Sequence, residues 1–184
     1  MLEVIAKRKS TRTYLDQPVE KEKLIQLIES ARLAPSGVNS QPWDFIIVTS
    51  KEMKKNILEA IPTQDWMKNV PSFIVAIANI KVKDDSVAFI DENSDHPELK
   101  EIIRDTAIAA THILLEAENK GLFSCWTGWF SQSQIRPVLH IPENKYVIGL
   151  IAIGYSNEVD GSDKERRPLE QMIYDEKWQQ QEND

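Results

Sequence analysis

Arg8, Lys9, Ser10 and Arg12 put three cationic side chains and a hydroxyl into one short segment. A phosphate monoester carries close to two negative charges, and charge-assisted hydrogen bonds from such groups are what hold it. A second cationic pair, Arg166 and Arg167, stands near the other end of the chain. The loop Pro35-Ser36-Gly37-Val38-Asn39-Ser40-Gln41-Pro42 adds backbone donors, the Ser36 hydroxyl and the Asn39 amide. The formal net charge of −7 argues against broad binding of nucleic acid or an anionic membrane. Two basic clusters in an acidic chain suggest a small anionic ligand instead; solvated surface patches are the plainer reading of the same charges.

Other chemistries lack their residues. There are six glycines and no two make a G-x-G, so neither a dinucleotide-binding fingerprint nor a P-loop is present. No G-x-S-x-G elbow exists. His96, His112 and His140 are far apart and no Cys/His cluster accompanies them, so no metal site is expected. Cys125 is the single cysteine. It reads as packing, excludes an intrachain disulfide and fits a reducing compartment. Met1 to Ser10 holds no apolar signal region, and the longest mostly apolar run, Tyr146 to Tyr155, is too short to span a bilayer. A cytoplasmic protein is expected.

The elements that must position these groups follow from spacing. Leu24, Leu27, Ile28 and Ala31 share one helical face, and Pro35 ends that helix near Ala34. Trp43 to Thr49 reads as a buried strand. Ser50 reads as an N-cap for a short helix containing Met53, Ile57 and Leu58. Phe73 to Ala78 is a second strand. Lys81 to Asp95 is polar and acidic and reads as an excursion, not a domain linker. Leu99 to Lys120 is the longest helix, with Pro97 suited to its first turn and Gly121 to its stop. Its middle, Ala107 to Leu115, is apolar nearly all round, which fits burial in a core or across a subunit interface. Leu122 to Trp126 is a strand, Ser131 to Leu139 a short helix and Tyr146 to Ile153 the last core strand. Leu169, Met172, Ile173, Tyr174 and Trp178 make the tail too apolar to hang free. A single domain, 1–184, is expected.

Arg8-x-Ser10-x-Arg12 followed by Ala34-Pro35-Ser36-x-x-Asn39-x-Gln41-Pro42-Trp43 resembles the N-terminal signature of the nitroreductase-like FMN proteins. The likeness continues in Gly121-Leu122-x-Ser124-Cys125-Trp126-x-Gly128, in Ile153-Gly154-Tyr155 and in Arg166-Arg167-Pro168-Leu169-Glu170. Singly, each segment also fits a surface or connecting role; together and in order, they do not. The segment 81–97 matches nothing in the pattern. The resemblance implies an α+β, three-layer fold, with a mixed central sheet flanked by helices, in an intertwined homodimer with two FMN sites at the interface. It implies that Arg8 and Ser10, with Arg166 or Arg167, hold the phosphate, and that Arg12 lies near the flavin pyrimidine edge. Pro35, Ser36 and Asn39 come from the partner subunit in that scheme. Trp126 to Gly128 passes the isoalloxazine, with a backbone N–H of Thr127 or Gly128 near N5. Lys9 and Gln41 complete the expected set. The chain itself then contributes no catalytic acid–base pair, since the flavin carries the chemistry. A cation near N1 and O2 favours the reduced flavin, which tends to be negative there.

The function this implies is reduction of nitro compounds, quinones or similar electron-poor acceptors by NAD(P)H, in ping-pong fashion. Two alternatives stay open at this point. One is a specialised flavin enzyme of the same fold with oxidative or dehalogenating chemistry, decided by Trp129, Phe130 and the 81–97 excursion. The other is a flavin-binding sensor or carrier with no catalytic role.

Overall fold

A computed structural model describes residues 1–80, 97–158 and 165–178, with the side chains of 97–100 outside it. The excursion expected at 81–97 therefore lies outside the described residues, apart from the backbone of Pro97. In chain order come α1 (Glu3–Lys7), α2 (Lys21–Arg32), β1 (Trp43–Val48), α3 (Lys51–Ala60), β2 (Ser72–Asn79), α4 (Pro97–Asn119), β3 (Phe123–Thr127), α5 (Gln132–Val138) and β4 (Lys145–Gly154). Short 3-10 turns sit at Gly37–Asn39, Asp65–Asn69 and Leu169–Gln171. The expected elements are all present with ends shifted by a residue or two. The spacing argument did not foresee α1 or the turn at Asp65–Asn69.

The four strands are ordered β1-β2-β4-β3, and every neighbouring pair is antiparallel. The expected mixed sheet is thus corrected in detail. Among the described residues the parallel component is one isolated bridge, Ser10 to Ser124. The reason lies in the connections. Val48 ends β1 opposite Phe73 near the start of β2, and Thr127 ends β3 opposite Leu150 of β4. Each helical excursion returns the chain close to the end it left, which pairs strands antiparallel.

Both faces of the sheet are covered, giving three layers. On one face Val48, Phe73, Val75, Cys125, Leu150 and Ala152 pack with Ile57 of α3 and Ile135 of α5. On the other, Ile74, Ala76, Ile151 and Ile153 pack with Leu24, Leu27 and Ala31 of α2 and Ala109, Ala110, Ile113 and Ala117 of α4. Covering on two sides is why β2 and β4 read as unbroken apolar runs rather than as alternation.

Val147 and Leu150 belong to the same core cluster although three residues separate them. A register shift lets them do so, because Ala76 pairs Gly149 whereas Ile77 pairs Val147, with Ile148 left over. Past Thr127 strand β3 no longer pairs with β4, and the buried Gln132 side chain takes its place. It donates to the Val147 carbonyl at 2.9 Å and accepts from the Val147 N–H at 2.8 Å.

Helix ends follow their sequence signals. The Ser50 hydroxyl accepts from the Met53 N–H at 3.1 Å, capping α3. Gly121 sits at φ 68° and closes α4, with the Leu122 N–H donating back to the Ala117 carbonyl at 2.8 Å. The α4 stretch Ala107 to Leu115 is buried on one face and turns Ile108 and Thr111 outward. Leu169, Met172, Ile173 and Trp178 of the tail are exposed on the single chain, with Trp178 stacked on Tyr174.

Candidate functional site

The basic segment is fixed along the free edge of β3. The Arg8 N–H closes α1 on the Val4 carbonyl at 3.0 Å, and the chain then extends. Ser10 bridges Ser124, and the Thr11 N–H donates to the Ser124 carbonyl at 2.9 Å. The buried Tyr14 hydroxyl donates to the Thr11 carbonyl at 2.8 Å, and the Leu15 N–H donates to the Tyr155 carbonyl at 2.9 Å. Burial pushes the Tyr14 phenol far above its usual range, so it stays neutral and can donate. Arg8, Lys9 and Ser10 are half-buried. The Lys9 ammonium is buried and has no hydrogen-bond partner among the described residues. An ammonium withdrawn from water without a partner costs several kcal/mol, so this position calls for an anion or an electron-rich oxygen. The exposed Arg12 guanidinium lies 5.9 Å from the Trp66 ring centroid. The Trp66 indole N–H donates in turn to the Gln64 side-chain carbonyl.

Past Ser124, β3 carries the next group of expected residues. Trp126 packs with the α2/α4 core cluster and lies on the backbone of Gly149, where a Cβ would come within 2.3 Å of its Nε1. Its indole is therefore a floor laid against β4 at Gly149. Thr127 is half-buried and Gly128 exposed. The Phe130 N–H donates to the Gly128 carbonyl at 2.9 Å, a tight turn that leaves the intervening Trp129 73% exposed.

The loop before β1 has a strained backbone. Val38, Asn39 and Gln41 have φ of 46°, 57° and 47°, left-handed values that non-glycine residues rarely take. The Gln41 N–H donates to the Ser36 hydroxyl at 3.0 Å and its side-chain amide to the Asn39 carbonyl at 3.4 Å. The Gly37 N–H donates to Asp105 of α4 at 2.9 Å, and the Pro42 carbonyl lies 3.3 Å from the Thr106 hydroxyl oxygen. Pro35, Asn39 and Gln41 are exposed, and Ser36 is half-buried.

The expected residues thus fall into separate groups. Arg8, Lys9, Ser10 and Arg12 lie on the segment bridged to Ser124 of β3, the strand that ends in Trp126 and Thr127. Pro35, Ser36, Asn39 and Gln41 precede β1, the opposite edge of a four-strand sheet, three strand spacings or about 14 Å away. Arg166 and Arg167 are exposed in the tail, where the Arg167 guanidinium donates to the Gln171 carbonyl at 2.8 Å. Sequence reasoning missed Trp66 and Asp105. Trp66 sits in a stretch without helical or strand period, so nothing marked it. Asp105 did carry a signal, as a carboxylate in helical register with Ala109 and Ile113.

The donor set suits a flavin mononucleotide. The unpartnered Lys9 ammonium, the Arg8 guanidinium and the Ser10 hydroxyl are what a phosphate monoester or a flavin carbonyl oxygen would pair with.

Comparison with known proteins points the same way. The nitroreductase family model matches residues 5–155. A protein of Archaeoglobus fulgidus, provisionally named as an NADH dehydrogenase/NAD(P)H nitroreductase, is 32% identical over 182 residues, covering 96% of this chain and 98% of its own. The NAD(P)H-dependent FMN reductase of Bacillus subtilis is 28% identical over 182 residues, covering 94% of this chain and 72% of its own. Among solved structures, an FMN-dependent nitroreductase from Clostridium difficile superposes with a TM-score of 0.76 at 30% identity, covering 97% of this chain and 100% of that one.

Proposed function

The chain belongs to the nitroreductase family, and on that premise we propose that it is a cytoplasmic FMN-dependent oxidoreductase that takes electrons from NAD(P)H and passes them to nitro compounds, quinones or similar electron-poor acceptors. The observation that carries the reading is the buried, unpartnered Lys9 ammonium within a basic segment laid along β3. In this reading Arg8, Lys9 and Ser10 hold the FMN phosphate side, joined by Arg166 or Arg167 from the tail. Arg12 stands at the pyrimidine edge, where its fixed charge favours the reduced state. A backbone N–H of Thr127 or Gly128 faces N5, over the floor made by Trp126. Pro35, Ser36, Asn39 and Gln41 serve the site of a second copy, since within one chain they lie at the far sheet edge. Bound FMN would supply the redox chemistry, receiving hydride from NAD(P)H and delivering it to the acceptor in alternating half-reactions. The protein's part is to bind, orient and polarise, and no side chain is required as a catalytic acid or base.

Anaerobic stopped-flow reduction of FMN-reconstituted protein by NADH and by NADPH tests this. Fast reduction by one of them, followed by fast reoxidation with a quinone or nitroaromatic, is the expected result. Slow or absent reduction by both would overturn it in favour of oxidative or dehalogenating chemistry, or of a flavin-binding sensor.

A further inference from the structure

Asp105 is buried to 9% exposure in α4, a helix whose other inward residues are mostly apolar. Its carboxylate accepts the Gly37 N–H at 2.9 Å. The next residue, Thr106, is fully buried; its single hydroxyl proton donates to the Ile102 carbonyl of its own helix at 2.8 Å, and the Pro42 carbonyl lies 3.3 Å from the same oxygen. One turn of α4 therefore holds the loop at Gly37 and lies against it at Pro42. Between these two points lie all three left-handed residues, Val38, Asn39 and Gln41. Val38 is the extreme case, being β-branched, at φ 46° and 95% exposed. No burial of its side chain offsets that conformation. A strained backbone persists only where its surroundings over-determine it. Here the surroundings are the Asp105 carboxylate accepting from the Gly37 N–H, the Gln41 N–H donating to the Ser36 hydroxyl, and room at Gly37 for the carboxylates of Asp105 and Glu101 to lie against the backbone.

We propose that Asp105 is a positioning residue: through the Gly37 amide it holds the Ser36–Gln41 loop in its strained form, and that form is what the loop presents to the flavin of a second copy. The inference rests on the proposed flavin site for the second half of that sentence only; the latch itself is a property of α4 and the loop. Without the carboxylate the loop relaxes toward right-handed geometry at Val38, and its flavin-binding form becomes a minor one. Affinity then falls by the fraction of loop still in that form. The loss is shared by FMN and riboflavin, because the loop is assigned to the ring side and not to the phosphate.

The test uses the full chain with Asp105→Ala, Asp105→Asn and the double variant Asp105→Ala/Val38→Gly. Hydrogen exchange of a peptide spanning 34–43 reads the latch directly, with or without flavin. Titration with FMN and with riboflavin reads its consequence. Asp105→Ala should speed exchange at the loop and weaken both flavins equally, by roughly fivefold to thirtyfold, as release of one strained residue implies. Asp105→Asn keeps an acceptor oxygen and should lose less. Val38→Gly removes the steric cost of the left-handed conformation, so the double variant should regain much of the affinity, a rescue that general destabilisation would not give. Unchanged exchange in Asp105→Ala would overturn the latch. Faster exchange with unchanged affinities, a loss confined to FMN, or no rescue by Val38→Gly would overturn its role toward the flavin. A wild-type chain that binds neither flavin would instead end the cofactor reading, and the exchange arm would still judge the latch.

Discussion

Arg12 carries its charge at the surface, 5.9 Å from the Trp66 ring, whereas the Lys9 ammonium is buried with no hydrogen-bond partner among the described residues and Arg167 is tied to its own tail. Three cations in three settings should answer differently to substitution. On its proposed placement at the pyrimidine edge, Arg12→Gln should lower the reduction potential of bound flavin and slow reduction by the nicotinamide, as an equilibrium titration against a reference dye would show. Trp66→Leu should shift the potential in the same direction by less, since an exposed cation–π contact is worth about 0.5–1 kcal/mol. An unchanged potential in Arg12→Gln would remove Arg12 from the flavin. The tail arginines are assigned to the phosphate, so replacing both should weaken FMN about tenfold to a hundredfold per lost charge-assisted contact. Riboflavin, which has no phosphate, should bind nearly as before. Equal losses for both flavins would mean that the tail acts through folding or docking, and the phosphate assignment would have to be dropped.

Among the elements, β4 depends on a single side chain where its neighbour strand stops. Gln132 pairs both the N–H and the carbonyl of Val147 in the buried interior. Gln132→Ala strands two backbone groups, and urea unfolding should show a loss of about 1–3 kcal/mol per group left unsatisfied. Gln132→Glu sets a buried carboxylate against the Val147 carbonyl, so near neutral pH it should lose at least as much as Gln132→Ala. A loss in Gln132→Ala below about 0.5 kcal/mol, the level of an ordinary surface change, would show that water replaces the amide at no cost. A second tie joins α2 to the exit of β4. The Tyr155 hydroxyl donates to Glu20 at 2.6 Å and accepts from Lys23 at 2.6 Å. The Tyr155 hydrogen bond, first among several causes, holds the Glu20 carboxyl below its ordinary value of 4.5. A carboxylate depressed in the folded state binds fewer protons there than in the unfolded chain near pH 4.5. Its stabilisation is therefore complete above that pH and is lost as pH falls through the folded value. The stability gap between wild type and Tyr155→Phe should accordingly shrink on acidification below 4.5; a gap that stays constant from pH 7 to 3 would show that Glu20 has no share in it. Elements of this kind were partly legible. Continuous apolar runs gave β1, β2 and β4, and Ser50, Pro97 and Gly121 marked helix ends, because those signals are local. The order β1-β2-β4-β3, the bulge at Ile148 and the pairing of Gln132 depend on contacts far apart in sequence, and no spacing encodes them. The site divides the same way. Arg8, Ser10 and Arg12 stood out by residue type, but nothing in Val38, Asn39 and Gln41 announces three left-handed residues. The hold on that strain comes from Asp105, on another element.

For the molecule as a whole, the expected site residues do not close on themselves in one chain. The basic segment and β3 stand at one sheet edge and the Pro35–Gln41 loop before the other. Ile5 of α1, Leu33 after α2, Val38 in the loop and Ile108 of α4 expose apolar side chains, as do Leu169, Met172, Ile173 and Trp178 of the tail. A scatter of exposed apolar residues is ordinary, but these include the strained loop and a C-terminal segment with little to bury against in its own chain. Both features are accounted for if two copies bury them together and each completes the other's site. We therefore expect an obligate homodimer burying on the order of 2,000 Å² or more in total, with about one FMN per chain and the yellow colour that follows. Sedimentation at micromolar concentration should show a dimer that separates only on unfolding. Its urea midpoint should rise with protein concentration, because association and folding are then one equilibrium. Flavin should protect in the same way, raising the midpoint further when FMN is in excess. A folded, flavin-bound monomer at micromolar concentration would show that one chain can assemble the site alone, and the division of the site between two copies would have to be abandoned.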